Sequence, residues 1–364
     1  MENMVKPFST LYETYKDKKV FLTGHTGFKG AWMLGMLNQL GAKVKGYALA
    51  PKTPHDLYHL IDGDQLCDSI IADLRDASRL EKEMESFQPD YIFHLAAQPL
   101  VRESYKDPRE TYEVNVIGTL NVLEALKKVN QKCSVVMITT DKVYFNHEWS
   151  FAYRENDELG GKDPYSASKA CSELVIQSYQ HAFFPVDQLH KHQKSISVAR
   201  AGNIIGGGDW SDNRLIPDFV RAVYVNASIK IRSPKAVRPW QHALDPINGY
   251  LKLGQALNSD PISFSTPFNF GPKTQDCIDV ESVINQCISY WKKGTLEIVN
   301  EDKEMRESHF LMLDTAKVER ELNWIPKLNL SQGLHKTIDW YASFQKDPQN
   351  IKKFTFEQIK TFLA

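Results

Sequence analysis

No apolar run in this chain approaches the roughly 18 residues that a membrane-crossing helix needs. The first residues, MENMVKPFSTLYETYKDKK, also lack the apolar core of a secretory signal. There is no charge imbalance either: 44 Lys and Arg stand against 45 Asp and Glu, a net −1. That balance removes the electrostatic reason to expect DNA, RNA or an anionic membrane as partner. A small anionic molecule held by a few local arginines stays open. No CxxC spacing occurs among the five cysteines, at 67, 133, 171, 277 and 287. An odd set of scattered thiols suits a reducing cytosol better than a secreted disulfide framework, so the expected location is cytoplasmic. Internal repeats, low-complexity tracts and long Pro/Ser linkers are missing as well.

What is present is ordinary for a soluble globular protein, 42% hydrophobic and 24% charged over 364 residues. Short β-rich runs alternate with helical patterns through the first half. KVFLTG (19–24) precedes helical AWMLGMLNQLG, and KVKGYAL (43–49), SIIADL (69–74) and DYIFHLAA (90–97) follow as strands. Helical RETYEVNVIGTLNVLEALKKV leads to the strand SVVMITT, and helical SASKACSELVIQSYQ leads to SISVARA (195–201). This alternation predicts an α/β fold of Rossmann type, a doubly wound parallel sheet with helices on both faces. After about residue 200 the pattern loosens. PFNFG (267–271) reads as another strand, and DVESVINQCISYWKK and LSQGLHKTIDWYASFQ read as late helices. Residues 1–200 are expected to form a dinucleotide-binding domain to which segments near 239–272 return. Residues 201–364 are expected to form mainly a smaller, mixed substrate lobe.

Gly24-His-Thr-Gly27-Phe-Lys-Gly30 spells GxxGxxG between the first strand and the first helix. Glycines there permit a tight turn and close backbone approach, while the helix N-terminus offers free N–H groups and a positive dipole to a pyrophosphate. The acid that often follows about 20 residues later to hold the adenosine ribose is absent, because the second strand ends YALAPKT. Lys52 alone does not argue for a 2′-phosphate, so NAD is expected over NADP. Asp73, at the end of the third strand, either reaches an adenine amine or caps the next helix.

Tyr165-Ser-Ala-Ser-Lys169 is a YxxxK at a helix start, which puts phenol and ammonium on one face. A nearby cation favours the phenolate and lowers a pKa normally near about 10. Such a group takes a proton from a sugar hydroxyl while hydride leaves for a nicotinamide. Thr140 ends the strand just before it, followed by Asp141 and Lys142. His190 and His192 form an HxH without an acidic or cysteine partner nearby, which reads as a solvated loop and not a metal site. Trp240 reads as core and His242 as structural.

TGHTGFKG, HLAAQ, NVIGT, TTDKVY, YSASK and RAGNIIG, in this order, resemble an extended short-chain dehydrogenase/reductase, and more narrowly the nucleotide-sugar 4,6-dehydratases. Lys142 replaces the Glu usual in that family. Together with GGGDW (206–210), RLIPD (214–218) and RPWQH (238–242), it makes the chain most similar to the CDP-glucose 4,6-dehydratase branch. The resemblance implies oxidation of the hexose at C4, elimination of water across C5 and C6, and hydride return to C6. It assigns Tyr165 as base at O4, Thr140 to the same oxygen, Lys169 to the nicotinamide ribose, Asp141 as acid at O6 and Lys142 as base at C5. Lys142 must be uncharged and Asp141 protonated when they act, whereas a static ion pair would suit neither role.

Candidate cofactor contacts are Gly24, Thr26, Gly27, Phe28, Lys29 and Gly30 in the turn, Asp73 and Leu74, Leu95, Ala96 and Ala97 of HLAA, with Tyr165 and Lys169. Candidate substrate contacts are Gln98, Asn203, Arg214, Arg238 and Arg306, of which Arg238 suits a pyrophosphate by its bidentate geometry. Gln98 is alternatively a helix-start cap and Asn203 a turn residue. The implied partners are a nucleotide sugar, CDP-glucose foremost, and a second copy in a homodimer or homotetramer. Two alternatives stay open: a nucleotide-sugar 4-epimerase on the same scaffold, or a dehydratase of a GDP-, dTDP- or UDP-sugar or a heptose. A non-catalytic NAD(P) sensor would tend to lose Tyr165 or Lys169, and both are present.

Overall fold

A computed structural model describes residues 7–299 and 310–364. Seven strands form the main sheet: β1 Lys19–Thr23, β2 Lys43–Ala48, β3 Asp68–Ile71, β4 Tyr91–His94, β5 Cys133–Ile138, β6 Lys194–Ala201 and β7 Pro267–Phe270. Their order is β7-β6-β5-β4-β1-β2-β3. Every pairing is parallel, with Val20 opposite Val44 on one side and Tyr91 on the other. Every residue of β4, β5 and β6 is buried, as expected of parallel strands covered on both faces. The α/β doubly wound expectation is met.

Two cores clothe the sheet. Helices Phe28–Gln39, Leu244–Ser259, Leu330–Lys346 and Ile351–Leu363 bring Trp32, Tyr250, Trp340 and Tyr341 to one face. Helices Ala77–Phe87, Gly118–Leu126 and Pro164–Ala182 bring Leu80, Leu123 and Ile176 to the other. β1 has β2 on one flank and β4 on the other, so the winding reverses there. A crevice opens beyond the carboxyl ends of strands at such a switch point.

Beyond residue 200, β7 extends the main sheet beside β6, and the helix Leu244–Ser259 packs on β5 and β6. Short pairs complete the rest: Ile204–Ile205 with Gln241–His242, Val237–Arg238 with Ile278–Asp279, and Ser228–Ile231 with Thr295–Ile298. Sequence periodicity passes over Leu244–Ser259 because this helix is buried nearly all round, Asp245 and Asn248 included, and so shows no apolar stripe. It also predicts one continuous helix across 109–129, where the structure has a π-helical turn, Glu113–Ile117, between Pro108–Tyr112 and Gly118–Leu126.

Candidate active site

The dinucleotide turn is built by close approach. Gly24 follows β1 at φ +76°, and a Cβ there would stand 2.8 Å from the Ala96 nitrogen. At Gly30 a Cβ would stand 1.9 Å from the Gly24 carbonyl oxygen. Only glycine satisfies both positions. Gly27 differs, since a Cβ there would meet only the Gly24 oxygen, at 3.4 Å. It is the N-cap of the helix Phe28–Gln39 and supplies no side-chain cap. The first N–H groups of that helix are thus left without a side-chain cap, which suits a pyrophosphate.

Thr23 Oγ1 accepts the Leu95 and Ala96 N–H groups, both at 3.1 Å, and ties the end of β4 to the end of β1. Ala97 continues that segment, half-buried. Thr26 donates to the Leu49 carbonyl at 2.8 Å. Phe28 and Lys29 are half-buried, and Lys29 Nζ lies 3.5 Å from the Tyr250 hydroxyl. Burial, helped by the charges of Lys169 and Arg214, lowers the Lys29 pKa to about 7. Leu74 is buried with its carbonyl on Asn121 Nδ2 at 2.8 Å. The Asp73 carboxylate is committed to Arg75, 2.6 Å away, which holds its pKa below the usual value. Asp76, not Asp73, caps the helix Ala77–Phe87.

Beyond β5 the chain passes through Thr139 and Thr140 into a 3₁₀ turn, Asp141–Val143. Thr140 caps this turn: its hydroxyl accepts the Lys142 N–H at 3.3 Å and donates to Asp141 Oδ1 at 2.9 Å. The turn rotates successive side chains by about 120° instead of the about 180° of a strand. Asp141 is 2% exposed, and its Oδ2 has no partner among the described residues. Burial raises its pKa against the opposing pull of Lys142, Thr140 and Arg238. Among the described residues no ion pair joins Asp141 to the half-buried Lys142. The adjacent carboxyl and amine are thus not a structural salt pair.

The helix Pro164–Ala182 starts sharply, with Pro164 in its first turn and the Asp163 carboxylate accepting the Ser166 N–H at 2.9 Å. Tyr165, Lys169 and Glu173 follow on one face at four-residue spacing, all buried. Lys169 Nζ donates to the Ile138 carbonyl at 3.4 Å; burial lowers its pKa to about 8 while Glu173 pulls it upward. Burial raises Tyr165 to about 12, opposed by the neighbouring Thr140 hydroxyl and by the charge of Arg214. The Lys169 ammonium thus donates to the Ile138 carbonyl and feels the charge of Glu173, and Arg214 is a cation acting on the phenol.

The substrate candidates divide. Arg214 precedes the helix Leu215–Tyr224, is held by Asp209 at 3.0 Å and faces Tyr165 electrostatically. Arg238 is buried beside Val237 and acts on Asp141. Asn203 is half-buried beyond β6, its carbonyl accepting the Gln241 N–H at 3.0 Å. Gln98 spends its carboxamide on its own surroundings, bonding Leu100 twice and Thr111 once, as a local cap does. Arg306 lies outside the described residues. His192 is also committed, with Nε2 on the Pro185 carbonyl and Nδ1 accepting the Lys194 N–H. Trp240 and His242 are buried, the latter edge-on to Trp32 at 5.6 Å.

Sequence reading missed several supports. Asn115, inside the π turn, bonds Gln98 through both side-chain atoms and donates to Ser168 Oγ at 2.9 Å. Ser104 accepts the Tyr165 N–H at 3.1 Å. Thr139, Glu173 and Arg200 form a buried cluster beneath the turn. Asn115, Thr139 and Arg200 lay within motifs already singled out, NVIGT, TTDKVY and RAGNIIG, whereas Ser104 and Glu173 did not.

The family model described as GDP-mannose 4,6 dehydratase matches residues 21–337. The chain belongs to that family. It is 42% identical over 330 residues to the CDP-glucose 4,6-dehydratase of Salmonella typhimurium, covering 91% of this chain and 92% of that protein. It is 26% identical to the UDP-glucose 4-epimerase of Mycoplasma pneumoniae, covering 91% and 98%. Among solved structures, a double mutant of DesIV, the dTDP-glucose 4,6-dehydratase of Streptomyces venezuelae with NAD and DAU bound, superposes with a TM-score of 0.77. That match covers 90% of this chain and 98% of that one at 23% identity, a likeness of fold. The sequence resemblance to nucleotide-sugar 4,6-dehydratases is thereby borne out. Among the described residues no helix is long and apolar enough to cross a membrane.

Proposed function

We propose that this protein is an NAD-dependent hydro-lyase that converts a nucleotide-activated hexose, CDP-D-glucose foremost, to CDP-4-dehydro-6-deoxy-D-glucose. The observation that carries this reading is the position of Thr140, whose hydroxyl donates to the buried Asp141 carboxyl at 2.9 Å and acts on the Tyr165 phenol. A 4-epimerase needs the phenol and the lysine but no acid and amine set beside them.

The glycine turn and Leu95–Ala97 would hold NAD, which would supply the acceptor for hydride from C4 and its return to C6. Tyr165, as phenolate, takes the O4 proton, while Lys169 orients the nicotinamide ribose. The new ketone acidifies the C5 proton, because the resulting carbanion is delocalised into it. Lys142, uncharged, takes that proton while Asp141 gives its own to O6, and water leaves with formation of the C5–C6 double bond. Lys142 returns its proton to C5 as C6 is reduced. Tyr165 then holds one proton too many and Asp141 one too few. The Thr140 hydroxyl between them carries it back.

Arg214 and Arg238 take the nucleotide pyrophosphate and Asn203 the sugar. Residues 1–200, with the strand and helix that return to their sheet, serve as the NAD domain, and the rest of 201–364 serves as the sugar-nucleotide lobe. Leu174 and Ile117, 55% and 47% exposed on neighbouring helical segments, support a homodimer or homotetramer. Five free thiols support a cytoplasmic location.

The test is incubation with CDP-, GDP-, dTDP- and UDP-glucose in parallel, followed by the alkali-induced absorbance of a 4-keto-6-deoxy sugar. A signal with CDP-glucose is expected. A new epimer without that signal would instead establish an epimerase.

A further inference from the structure

Glu173 and Arg200 are 0% and 1% exposed side chains that take no part in the steps above. Arg200 Nε reaches both Glu173 oxygens, at 2.9 and 3.1 Å, and Nη2 adds a bond at 2.5 Å. Glu173 Oε1 also accepts the Thr139 hydroxyl at 2.6 Å. Arg200 Nη1 donates to the Tyr144 hydroxyl at 2.7 Å and to the Glu155 carbonyl at 2.8 Å. Tyr144 in turn donates to Asn269 Oδ1 at 2.7 Å, and Asn269 Nδ2 donates to the Tyr153 and Asp314 carbonyls.

Thr139 and Tyr144 bracket the segment Thr140–Val143. One is held from below by Glu173 and the other by Arg200. Glu173 stands one turn beyond Lys169 on the helix that also carries Tyr165, and Arg200 stands on β6. The ion pair therefore ties both ends of the catalytic turn to the helix that carries the phenol and the lysine. Desolvating two charges offsets most of their attraction, so a buried pair is a poor source of stability and a better source of fixed geometry. Apart from the Glu155 carbonyl, the bonds the pair makes beyond itself go to Thr139 and Tyr144, the residues flanking the turn. Beside the Thr140 cap, the Gly160 N–H bonds the Val143 carbonyl at 2.8 Å, and Val143 packs with Tyr153, Leu311 and Leu313.

We propose that Glu173 and Arg200 are positioning residues, which through Thr139 and Tyr144 set Asp141 and Lys142 at the distance from Tyr165 that elimination requires. The proposal rests on the dehydratase reading. It assigns the network to the C5/C6 step and not to oxidation at C4, whose groups sit on the helix itself and on the Thr140 cap.

Two mild variants test it, because both leave the buried ion pair intact: Thr139→Val and Tyr144→Phe. With CDP-glucose, single-turnover NADH absorbance should keep its rate within about 2-fold, and KM should hold equally well. Solvent deuterium entry at C5 and keto-sugar formation should fall by about 10-fold or more, and Thr139→Ser should restore them. Both variants should show cooperative melting by circular dichroism. Undiminished C5 exchange in the folded variants, or NADH formation and exchange falling together, would overturn the positioning role. Wild-type protein forming no keto sugar would overturn the dehydratase reading and this proposal with it, a result visible before any variant is made.

Discussion

The Thr140 hydroxyl donates to Asp141 Oδ1 at 2.9 Å and also acts on the Tyr165 phenol. One small side chain thus touches a buried acid whose pKa is raised and a buried phenol raised to about 12. Removing that hydroxyl leaves both groups without their shared partner. Thr140→Val should lower kcat by about 100-fold, the scale seen when a single oriented donor is lost at a reacting oxygen. KM for CDP-glucose should change little. Steady-state kinetics decide it, and a kcat within 2-fold of wild type would remove Thr140 from the chemistry.

Lys142 stands next to Asp141 without pairing to it among the described residues. Lys142→Met should bind NAD normally and still form transient NADH, yet lose exchange of the C5 hydrogen with solvent. Mass spectrometry in deuterated buffer reads this directly. Exchange at the wild-type rate would assign the base elsewhere.

Tyr165→Phe should block the first hydride transfer, so no transient NADH absorbance appears on mixing with CDP-glucose. Substrate binding by titration calorimetry should persist, since the change removes one hydroxyl at a buried site.

The Gly30 position tests the cofactor turn. A Cβ there would overlap the Gly24 oxygen, 1.9 Å away, so Gly30→Ala must displace the turn. NAD affinity by titration calorimetry should fall at least about 10-fold. An unchanged affinity would separate this turn from the cofactor.

Three buried histidines predict an acid limit to stability. Burial lowers His25 to about 4 and both His94 and His242 to about 3. Each folded value lies below the unfolded value of about 6.5. The neutral ring therefore contributes stability that is present above pH about 6.5 and lost as pH falls toward 4 or 3. With all three neutral in the fold and charged when unfolded, stability should drop by about 4 kcal/mol per pH unit near pH 5. Urea unfolding between pH 7.5 and 4.5 measures the slope. His242→Gln should reduce it by about one third; an equal slope would show that His242 does not contribute.

Much of the site was legible because its chemistry is local in the chain. Gly24, Gly27 and Gly30 share one turn, and Tyr165 and Lys169 share one helical face, so spacing alone brings them together. Thr140, Asp141 and Lys142 are consecutive, and the end of a strand is a place where a chain can turn. The supporting residues were silent. Thr139, Glu173, Arg200 and Asn269 come from four separate segments, and nothing in the spacing of a threonine, an acid, an arginine and an asparagine announces that they meet. The helix Leu244–Ser259 was silent for a related reason, because burial nearly all round blurs the periodicity by which a helix is recognised.

By itself the sequence indicated the parallel sheet through its alternation of strands and helices, and it indicated the cofactor turn and the candidate reacting groups through residues only a few positions apart. Only the tertiary structure decided their electrostatics. Burial raises Tyr165 and Asp141 and lowers Lys169, and the charge of Arg214 draws the phenol down. Desolvation depends on everything packed around a group, and β4, β5, β6 and their helices reach that place from distant parts of the chain.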